Sequence, residues 1–274
     1  MISVLINVYY RERPEHFHTA LQSLYDQTFQ DFEVVLVVDG PVPEELEKVI
    51  EYWKSRFEGR INIVRLPKNL GIAGAINAGL RECRTELVAK MDSDDFSLPH
   101  RFETQYRFMR AHPEIHVLGT QMGEFEFDPQ QVVTIRRVPL IHEEITKLMW
   151  LKCPINHVTV MYRRSAILAV GGYDPTYGND DFLWVKMHRA GYRFHNLDQC
   201  LVQARVGRNM KEMIRRRSTL ELFRWNCKIR IYLFRHRMIS AGHFIAGLFV
   251  ACMILLLPLN IKSYFFRRTR EQVA

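Results

Sequence analysis

The feature that most constrains this chain is the alternation of short apolar runs with helical patterns over residues 1–111. The second run, Glu33–Val38 (EVVLVV), is almost continuously apolar, as expected for a strand that is covered on both faces. Strands that alternate with helices at this spacing predict parallel βαβ units and an α/β fold. The predicted strands are Ser3–Tyr9, Glu33–Val38, Ile61–Leu66 and Leu87–Met91, and the predicted helices cover 17–25, 43–57, 71–83 and 98–111.

Polar residues follow each predicted strand, where the carboxyl ends of parallel strands form the ligand-binding edge of a sheet. The most specific of them is the run DSDD at 92–95. If the chain stays extended there, Asp92 and Asp94 point to the same face, and their oxygens suit Mg²⁺ or Mn²⁺ that also contacts substrate phosphates. The alternative is a polar turn that caps the helix at 98–111. Spacing alone leaves both interpretations open.

Two common phosphate-binding motifs do not occur in the sequence. No G-x-G-x-x-G follows the first strand, and no G-x-x-x-x-G-K-[ST] is found anywhere. The segment VYYRERPEH after the first strand also contains no glycine, which argues against a nucleotidyltransferase. These observations favour metal-bridged diphosphate chemistry over hydride transfer.

The positive charge of the chain is concentrated in its last quarter. The formal net charge is +8, with +9 in residues 205–238 and +3 in residues 262–274, so residues 1–204 carry −4. Aromatic residues are interleaved with the basic ones, so the segment could be a nucleic-acid patch. The apolar sequence that follows it favours an anionic membrane surface instead, and we expect no nucleic-acid partner.

Residues 242–261 form an apolar run without a single Asp, Glu, Lys or Arg. A helix of that length would roughly span a hydrocarbon core of ~30 Å. Because His243, Pro258 and Asn260 interrupt the run and basic residues flank both ends, we expect a re-entrant or interfacial segment rather than a span. A buried C-terminal helix with a solvated basic face is the other possibility. The five cysteines form no C-x-x-C pair, so we expect a reducing compartment, at the cytoplasmic face of the plasma membrane.

Five motifs over residues 1–205 resemble, in order, the inverting nucleotide-sugar-dependent glycosyltransferases of family 2, including those of bacterial exopolysaccharide and O-antigen biosynthesis. They are SVLINVYYRE, SLYDQTFQDFEVVLVVDG, NLGIAGAINAGL, MDSDDFSLPHRF and GGYDPTYGNDDFLWVKMHRAG. The resemblance implies a GT-A catalytic domain at 1–204, followed by a basic, membrane-associating region at 205–274. It also implies metal-dependent transfer, with Mn²⁺ or Mg²⁺, of one sugar from a UDP-sugar to an acceptor hydroxyl. A polyprenyl-diphosphate-linked glycan is the acceptor that fits a membrane surface.

The same resemblance assigns residues to the nucleotide and the metal. Asp39 would bind the base, with Tyr9 close to the same ring, and Asp92 would lie near the ribose while Asp94 ligates the metal. Asn69, Gly71 and Asn77 would line the nucleotide cleft. The sequence departs from the family pattern at Val38, where a second acid is usual, and at Tyr10, where asparagine is usual.

The catalytic base of the family is the aspartate of an E-D-x-x-L-W pattern, which places it at Asp180 here, with Asp181 in reserve. Inversion needs such a carboxylate to take the proton of the attacking hydroxyl. Asn179 stands where glutamate is usual, and it is a candidate acceptor contact together with Asn156, His157 and Trp184. A helix N-terminus also favours acidic residues, so without the resemblance Asp180 and Asp181 would be read as helix-starting residues.

A different class of function stays open at this stage. The departures at Tyr10 and Asn179 would also suit a non-catalytic, nucleotide-binding membrane scaffold, because a fold by itself does not prove activity.

Overall fold

The N-terminal half is a parallel sheet with helices on both faces. In the computed structural model, which describes residues 1–176, 180–206, 214, 219–268 and 270–272 (without the side chains of 265–267), the strands run in the order β3-β2-β1-β4. All seven residues of β2 are buried, as its continuous apolar sequence predicts. The α/β prediction is therefore confirmed. The elements are β1 (Ile2–Val8), α1 (Pro14–Tyr25), β2 (Phe32–Val38), α2 (Glu44–Arg56), β3 (Ile61–Arg65), α3 (Gly71–Glu82) and β4 (Leu87–Met91).

Beyond β4 the sheet becomes mixed. β8 pairs with β4 and β6 in antiparallel fashion, and the long β9 runs parallel to β6. This part comprises β5 (Phe96–Ser97), α4 (Arg101–Ala111), β6 (Ile115–Phe125), β7 (Val132–Arg136), α5 (His142–Leu148), a 3₁₀ turn (His157–Thr159), β8 (Met161–Arg163), α6 (Arg164–Ala169), α7 (Asp181–Arg189) and β9 (Arg193–Arg205). The result is the curled, mixed α/β sheet of a GT-A fold.

A buried arginine connects the end of β4 to the 3₁₀ turn. Arg101, with no exposed surface, donates to the carbonyl oxygens of Lys90 at 2.7 Å and Val158 at 3.2 Å. Because both carbonyls are buried, they need such a donor. The contact holds the segment after β4 beside the turn that carries His157.

Three helices lie within the described residues 219–268, after the mixed sheet, and are called the C-terminal arm: α8 (Leu220–Arg235), α9 (Ala241–Leu256) and α10 (Leu259–Arg268). The apolar run at 242–261 is not one helix. Leu257 is extended, as expected for a residue that precedes proline, and Pro258 separates α9 from α10. Over the described part of the chain, no helix has both the length and the apolar character needed to cross a membrane.

The arm is attached to the catalytic region at both ends. Ile229 and Leu233 of α8 pack with Phe182 and Val185 of α7. At the other end, β10 (Glu271–Gln272) adds an antiparallel strand to β7. The predicted boundary at residue 204 falls inside β9, which continues through Arg205.

The last strand also brings a buried ion pair. Arg270 contacts Glu124 at 3.0 Å, with side-chain exposures of 5% and 1%. Burial alone would raise the pKa of Glu124, but the Arg270 guanidinium outweighs it and holds that pKa below its usual range. Arg270 thereby offsets the negative charge of Glu124, which lines a cavity beside the segment that follows β4.

Candidate active site

A cavity of about 540 Å³ opens beside the segment that follows β4. It joins two groups of acids that are far apart in the sequence, one after β4 and the other at the start of α7. Six carboxylate-bearing residues line it: Asp92, Asp94, Asp95, Glu124, Asp180 and Asp181.

The acids after β4 differ in their electrostatic surroundings. Burial would raise the pKa of Asp92, but the buried Lys90 ammonium, 2.7 Å from its Oδ1, holds that pKa below its usual range. Burial and the neighbouring Asp92 and Glu12 raise the pKa of Asp94 to about 7. Asp95 accepts a hydrogen bond from the Arg205 backbone N–H at 2.8 Å and is 5% exposed. The protein neighbours of Asp94 thus do not fully compensate the negative charge of its ionised form, which a bound cation would stabilise.

Glu12 is a member of this acidic group to which the sequence analysis gave no role. Its carboxylate accepts a hydrogen bond from the Ser93 hydroxyl and is 10% exposed. The signal was its position directly after β1, at the same sheet edge as the other polar residues. Oxygen donors clustered in this way suit a hard divalent cation, so the residues around Asp94 fit Mn²⁺ or Mg²⁺.

The second acidic group starts α7. Asp180 is the residue before the helix, and its Oδ2 accepts hydrogen bonds from the Trp184 indole N–H at 3.3 Å and the Cys153 thiol at 3.6 Å. Burial and the adjacent Asp180 raise the pKa of Asp181 to about 6. Among the described residues, the group of three potential ligands whose donor atoms all lie within 4.8 Å of one another is Cys153, Asp180 and Asp181. Burial raises the pKa of the Cys153 thiol, so it stays protonated and suits a hard cation less well than the oxygen donors around Asp94.

Trp184 corrects one expectation. It was predicted to contact the acceptor, but its side chain has no exposed surface and packs in the core with Leu183 and Met187. The ring is buried because it lies on the apolar face of α7. Its indole N–H reaches the cavity only through Asp180, so Trp184 orients the carboxylate rather than the substrate.

We expect Trp184→Phe to lower kcat by about tenfold with an unchanged KM for the donor, because a hydrogen bond to a charged group is lost. Steady-state kinetics with varied donor would measure both parameters. Trp53→Phe is the matched control, since Trp53 on α2 is equally buried and donates to His18 on α1 at 3.2 Å. Equal losses of kcat in the two variants would mean that only core packing is affected.

His157 lies between the two acidic groups. Burial lowers the pKa of His157, and the carboxylates of Asp180 and Asp92 offset this effect only in part. The His157 Nε2 is 2.8 Å from the Tyr173 hydroxyl. It lines the cavity, as an acceptor contact would.

Asn156 and Asn179 complete the predicted acceptor residues. Asn156 is 1% exposed, and its amide nitrogen donates to the carbonyl oxygens of Thr120 at 2.9 Å and Arg136 at 3.3 Å. It therefore holds the cavity wall in place. Asn179 lies outside the described residues.

Three of the predicted nucleotide-binding residues form one connected loop pair. Asp39 accepts from the Leu70 backbone N–H at 2.7 Å, Asn69 donates to the Asp39 carbonyl at 3.2 Å, and the Asn69 side chain accepts from the Gly71 N–H at 3.1 Å. Gly71 has φ +73°, which favours glycine. These loops stand at the ends of β2 and β3, outside the residues that line the cavity.

Tyr9 and Asn77 are placed differently. Tyr9 is 39% exposed and packs edge-on against Tyr10. Both ends of the Asn77 amide bond the backbone of Tyr173, at 2.7 and 2.8 Å. Asn77 therefore anchors the loop that carries Tyr173, and its contact with a nucleotide stays a prediction.

Several residues that the sequence analysis did not select also line the cavity, among them Arg136, Arg205, Leu222 and Asn226. Arg205 was counted with the basic tail, but its Nε donates to the Asp94 carbonyl at 3.2 Å. Leu222 and Asn226 are one turn apart on α8, so the arm forms part of the cavity wall. No local pattern reveals these positions, because they depend on contacts between distant segments.

The curled α/β sheet and the acid-lined cavity at the end of β4 define the class of nucleotide-sugar transferases with a GT-A fold. The sequence profile described as glycosyl transferase family 2 matches residues 3–171, and the chain belongs to that family. The family predicted from the five motifs is confirmed, and the protein is a glycosyltransferase.

Two curated relatives are similar over nearly the whole chain. The amylovoran biosynthesis glycosyltransferase AmsE of Erwinia amylovora is 34% identical over 99% of this chain and all of its own length. The UDP-Gal:alpha-D-GlcNAc-diphosphoundecaprenol beta-1,3-galactosyltransferase of Escherichia coli is 33% identical, with 97% of this chain and 95% of the relative covered.

Solved structures of lower identity share the fold. The mannosyltransferase PcManGT from Pyrobaculum calidifontis, in complex with GDP-Man and Mn²⁺, has a TM-score of 0.67 and 17% identity, with 97% of this chain and 74% of that chain covered. S. aureus TarS 1-349 in complex with UDP-GlcNAc has a TM-score of 0.60 and 18% identity, with 96% and 83% covered.

Proposed function

We propose that this glycosyltransferase moves one sugar, with inversion, from a UDP-sugar to a hydroxyl group of a lipid-linked oligosaccharide in a metal-dependent reaction. The observation that carries the proposal is that Asp94 and Asp180 line the same cavity. One acid suits the donor diphosphate and its metal, and the other suits the acceptor hydroxyl.

Asp180 takes the proton of the acceptor hydroxyl as its oxygen attacks the anomeric carbon from the side opposite the diphosphate. The Trp184 indole orients the Asp180 carboxylate for this step. Asp94, with Asp92 beside it, would hold a divalent cation that offsets the charge on the departing diphosphate. Arg205 adds a positive charge at the same end of the cavity, next to Asp94 and Asp95.

The choice of substrates is supported by the relatives. The Escherichia coli relative is named for a UDP-Gal donor and a diphosphoundecaprenol-linked acceptor, and AmsE for amylovoran biosynthesis. Both are similar to this chain over nearly its full length, so a UDP-sugar donor and a polyprenyl-diphosphate-linked acceptor are the substrates we assign.

The C-terminal arm supplies a surface for the membrane that holds such an acceptor. Ile245, Phe249, Met253 and Leu256 repeat at helical spacing on α9 and are 66%, 64%, 37% and 76% exposed. Exposed basic residues lie on α8 and just after it, namely Arg224, Lys228, Arg235 and Arg237. An apolar face beside basic side chains suits an interfacial helix on anionic lipids. The five free cysteines agree with the cytoplasmic face of the plasma membrane.

We expect the double substitution Ile245→Glu and Phe249→Glu to abolish sedimentation with anionic phosphatidylglycerol vesicles, because two charges would enter the apolar face. Each buried apolar side chain contributes about 1.5–3 kcal/mol, so affinity should fall at least a hundredfold. Leu168→Glu on α6, which is 41% exposed, is the control and should bind as wild type does. Unchanged binding by the double variant would remove this face from the proposal.

The function is tested by incubating the full chain with a panel of UDP-sugars and a bacterial lipid extract, with and without Mn²⁺. We expect one donor to give metal-dependent release of UDP together with a sugar-labelled lipid. UDP binding without turnover by any donor would instead favour the non-catalytic scaffold.

A further inference from the structure

Arg136, the last residue of β7, presents a guanidinium to the cavity with most of its donors unused. It is half-buried and lines the cavity. Among the described residues, the side chain makes one hydrogen bond, from Nη2 to the Cys153 carbonyl oxygen at 3.3 Å, and no ion pair within 4.0 Å. A guanidinium has five N–H donors, so four remain for a ligand.

The position of Arg136 is at the acceptor end of the cavity. Its charge acts on Asp181 and Cys153, the two groups beside Asp180. The other arginine of the cavity, Arg205, lies at the donor end, where it donates to the Asp94 carbonyl. The cavity therefore has one guanidinium beside each of its acidic groups.

Two neighbouring cationic side chains already bind other protein groups. Arg230 is 4% exposed and donates to Asn226 at 3.0 Å and to the Leu151 carbonyl at 3.1 Å. Lys90 is buried against Asp92. Among the described residues at this end of the cavity, Arg136 is therefore the cationic side chain that lines it with most donors not taken up by a protein partner.

The reaction itself requires a cation at this end. When the acceptor is a single sugar attached to a lipid through a diphosphate, as in the name of the Escherichia coli relative, that diphosphate lies one sugar ring away from the hydroxyl that attacks. The carboxylates of Asp180 and Asp181 at this end of the cavity would repel it unless a positive group lay nearby. Arginine offers a planar pair of donors that matches two phosphate oxygens.

We propose that Arg136 binds the diphosphate of the lipid-linked acceptor and so selects phosphorylated acceptors over neutral glycosides. The inference rests on the proposed function, because it takes Asp180 to mark the acceptor hydroxyl. It extends that function by assigning Arg136 to the acceptor diphosphate, at a site separate from the one that holds the donor diphosphate.

A side-chain substitution at this position keeps the local backbone contacts. The Asn156 amide bonds the carbonyl oxygen of Arg136, and Arg136 pairs with Met122 through the β6–β7 ladder. Both contacts involve the main chain. The next residue, Arg137, pairs with Asp198 and Glu271 at 2.9 and 2.6 Å and is 47% exposed outside the cavity, so it provides a matched control.

The test is isothermal titration of the full chain, saturated with UDP and Mn²⁺, with geranyl diphosphate and with geraniol. We expect wild type and Arg137→Gln to bind geranyl diphosphate and geraniol to bind at least tenfold more weakly. Arg136→Gln should lose about ten- to a hundredfold in affinity for geranyl diphosphate, with an unchanged affinity for UDP. Arg136→Lys should lie between the two, because it keeps the charge but not the planar donors.

Three results would overturn the proposal. The first is that Arg136→Gln binds geranyl diphosphate as wild type does, and the second is that geraniol binds as tightly as geranyl diphosphate. The third is that a further increase in UDP weakens the binding of geranyl diphosphate, because that would place it in the donor site. These results are distinct from failure of the proposed function, because binding is measured without turnover. Failure of the proposed function would appear as no sugar transfer from any UDP-sugar while Arg136-dependent binding persists.

Discussion

Replacing Asp180 with asparagine is expected to lower the rate of sugar transfer by about a hundred- to ten-thousandfold, because the acceptor hydroxyl loses its general base. Asparagine keeps an oxygen that can accept the Trp184 hydrogen bond, so the site should stay folded. The measurement is the initial rate of transfer from the UDP-sugar that wild type uses, together with calorimetric binding of UDP. UDP affinity should remain within about twofold of wild type.

Asp181→Asn separates the two neighbouring acids. Burial and the adjacent Asp180 raise the pKa of Asp181 to about 6, whereas Asp180 is the residue that accepts hydrogen bonds from both the indole and the thiol. We expect a loss of less than tenfold for Asp181→Asn. A larger loss for Asp181→Asn than for Asp180→Asn would transfer the role of base to Asp181.

Asp94→Asn should remove the metal dependence of donor binding. The change removes the ionisable carboxyl group of Asp94, whose pKa is raised to about 7 by burial and by repulsion from the neighbouring acids. We expect Mn²⁺ to strengthen UDP binding in wild type and to have no effect in the variant, with transfer reduced by about a hundredfold or more. Calorimetric titration of UDP with and without Mn²⁺ measures the first effect.

The control for Asp94→Asn is Asp31→Asn, which changes an aspartate that is 65% exposed and paired with the N-terminal ammonium, away from the cavity. It should keep the Mn²⁺ response of wild type. If Asp94→Asn keeps that response too, the metal is not held by Asp94, and the cluster of Cys153, Asp180 and Asp181 becomes the alternative.

Much of the donor end could be predicted from the sequence. Residues that follow buried parallel strands must meet at one sheet edge, so Asp39, Asn69 and Asp92 were found from local patterns alone. The motif containing Asp180 was found through its resemblance to a family pattern, which also reflects a local feature, the start of a helix. Glu12 satisfied the same rule of position and was missed only because no role was attached to it.

The cavity residues that lie on later strands and helices could not be predicted in this way. Arg136, Arg205 and Asn226 belong to β7, β9 and α8, and each reaches the cavity through pairing or packing with segments far away in the chain. Trp184 has the pattern of a core residue, and only the packing of α7 reveals that its N–H serves Asp180. Residues of the site and residues of the core share the same residue types, so residue type alone does not distinguish the two groups.

Local patterns established the alternation of strands and helices over residues 1–111, the α/β class, the acidic run after β4 and the interruption of the apolar run at Pro258, because hydrophobic periodicity and strand-end position are local properties. The packing of distant segments was needed to show that both acidic groups line one cavity and that Arg270, beyond the arm, pairs with Glu124. These outcomes depend on the packing of distant segments, where burial and charge compensation act together and no neighbouring residues record the result.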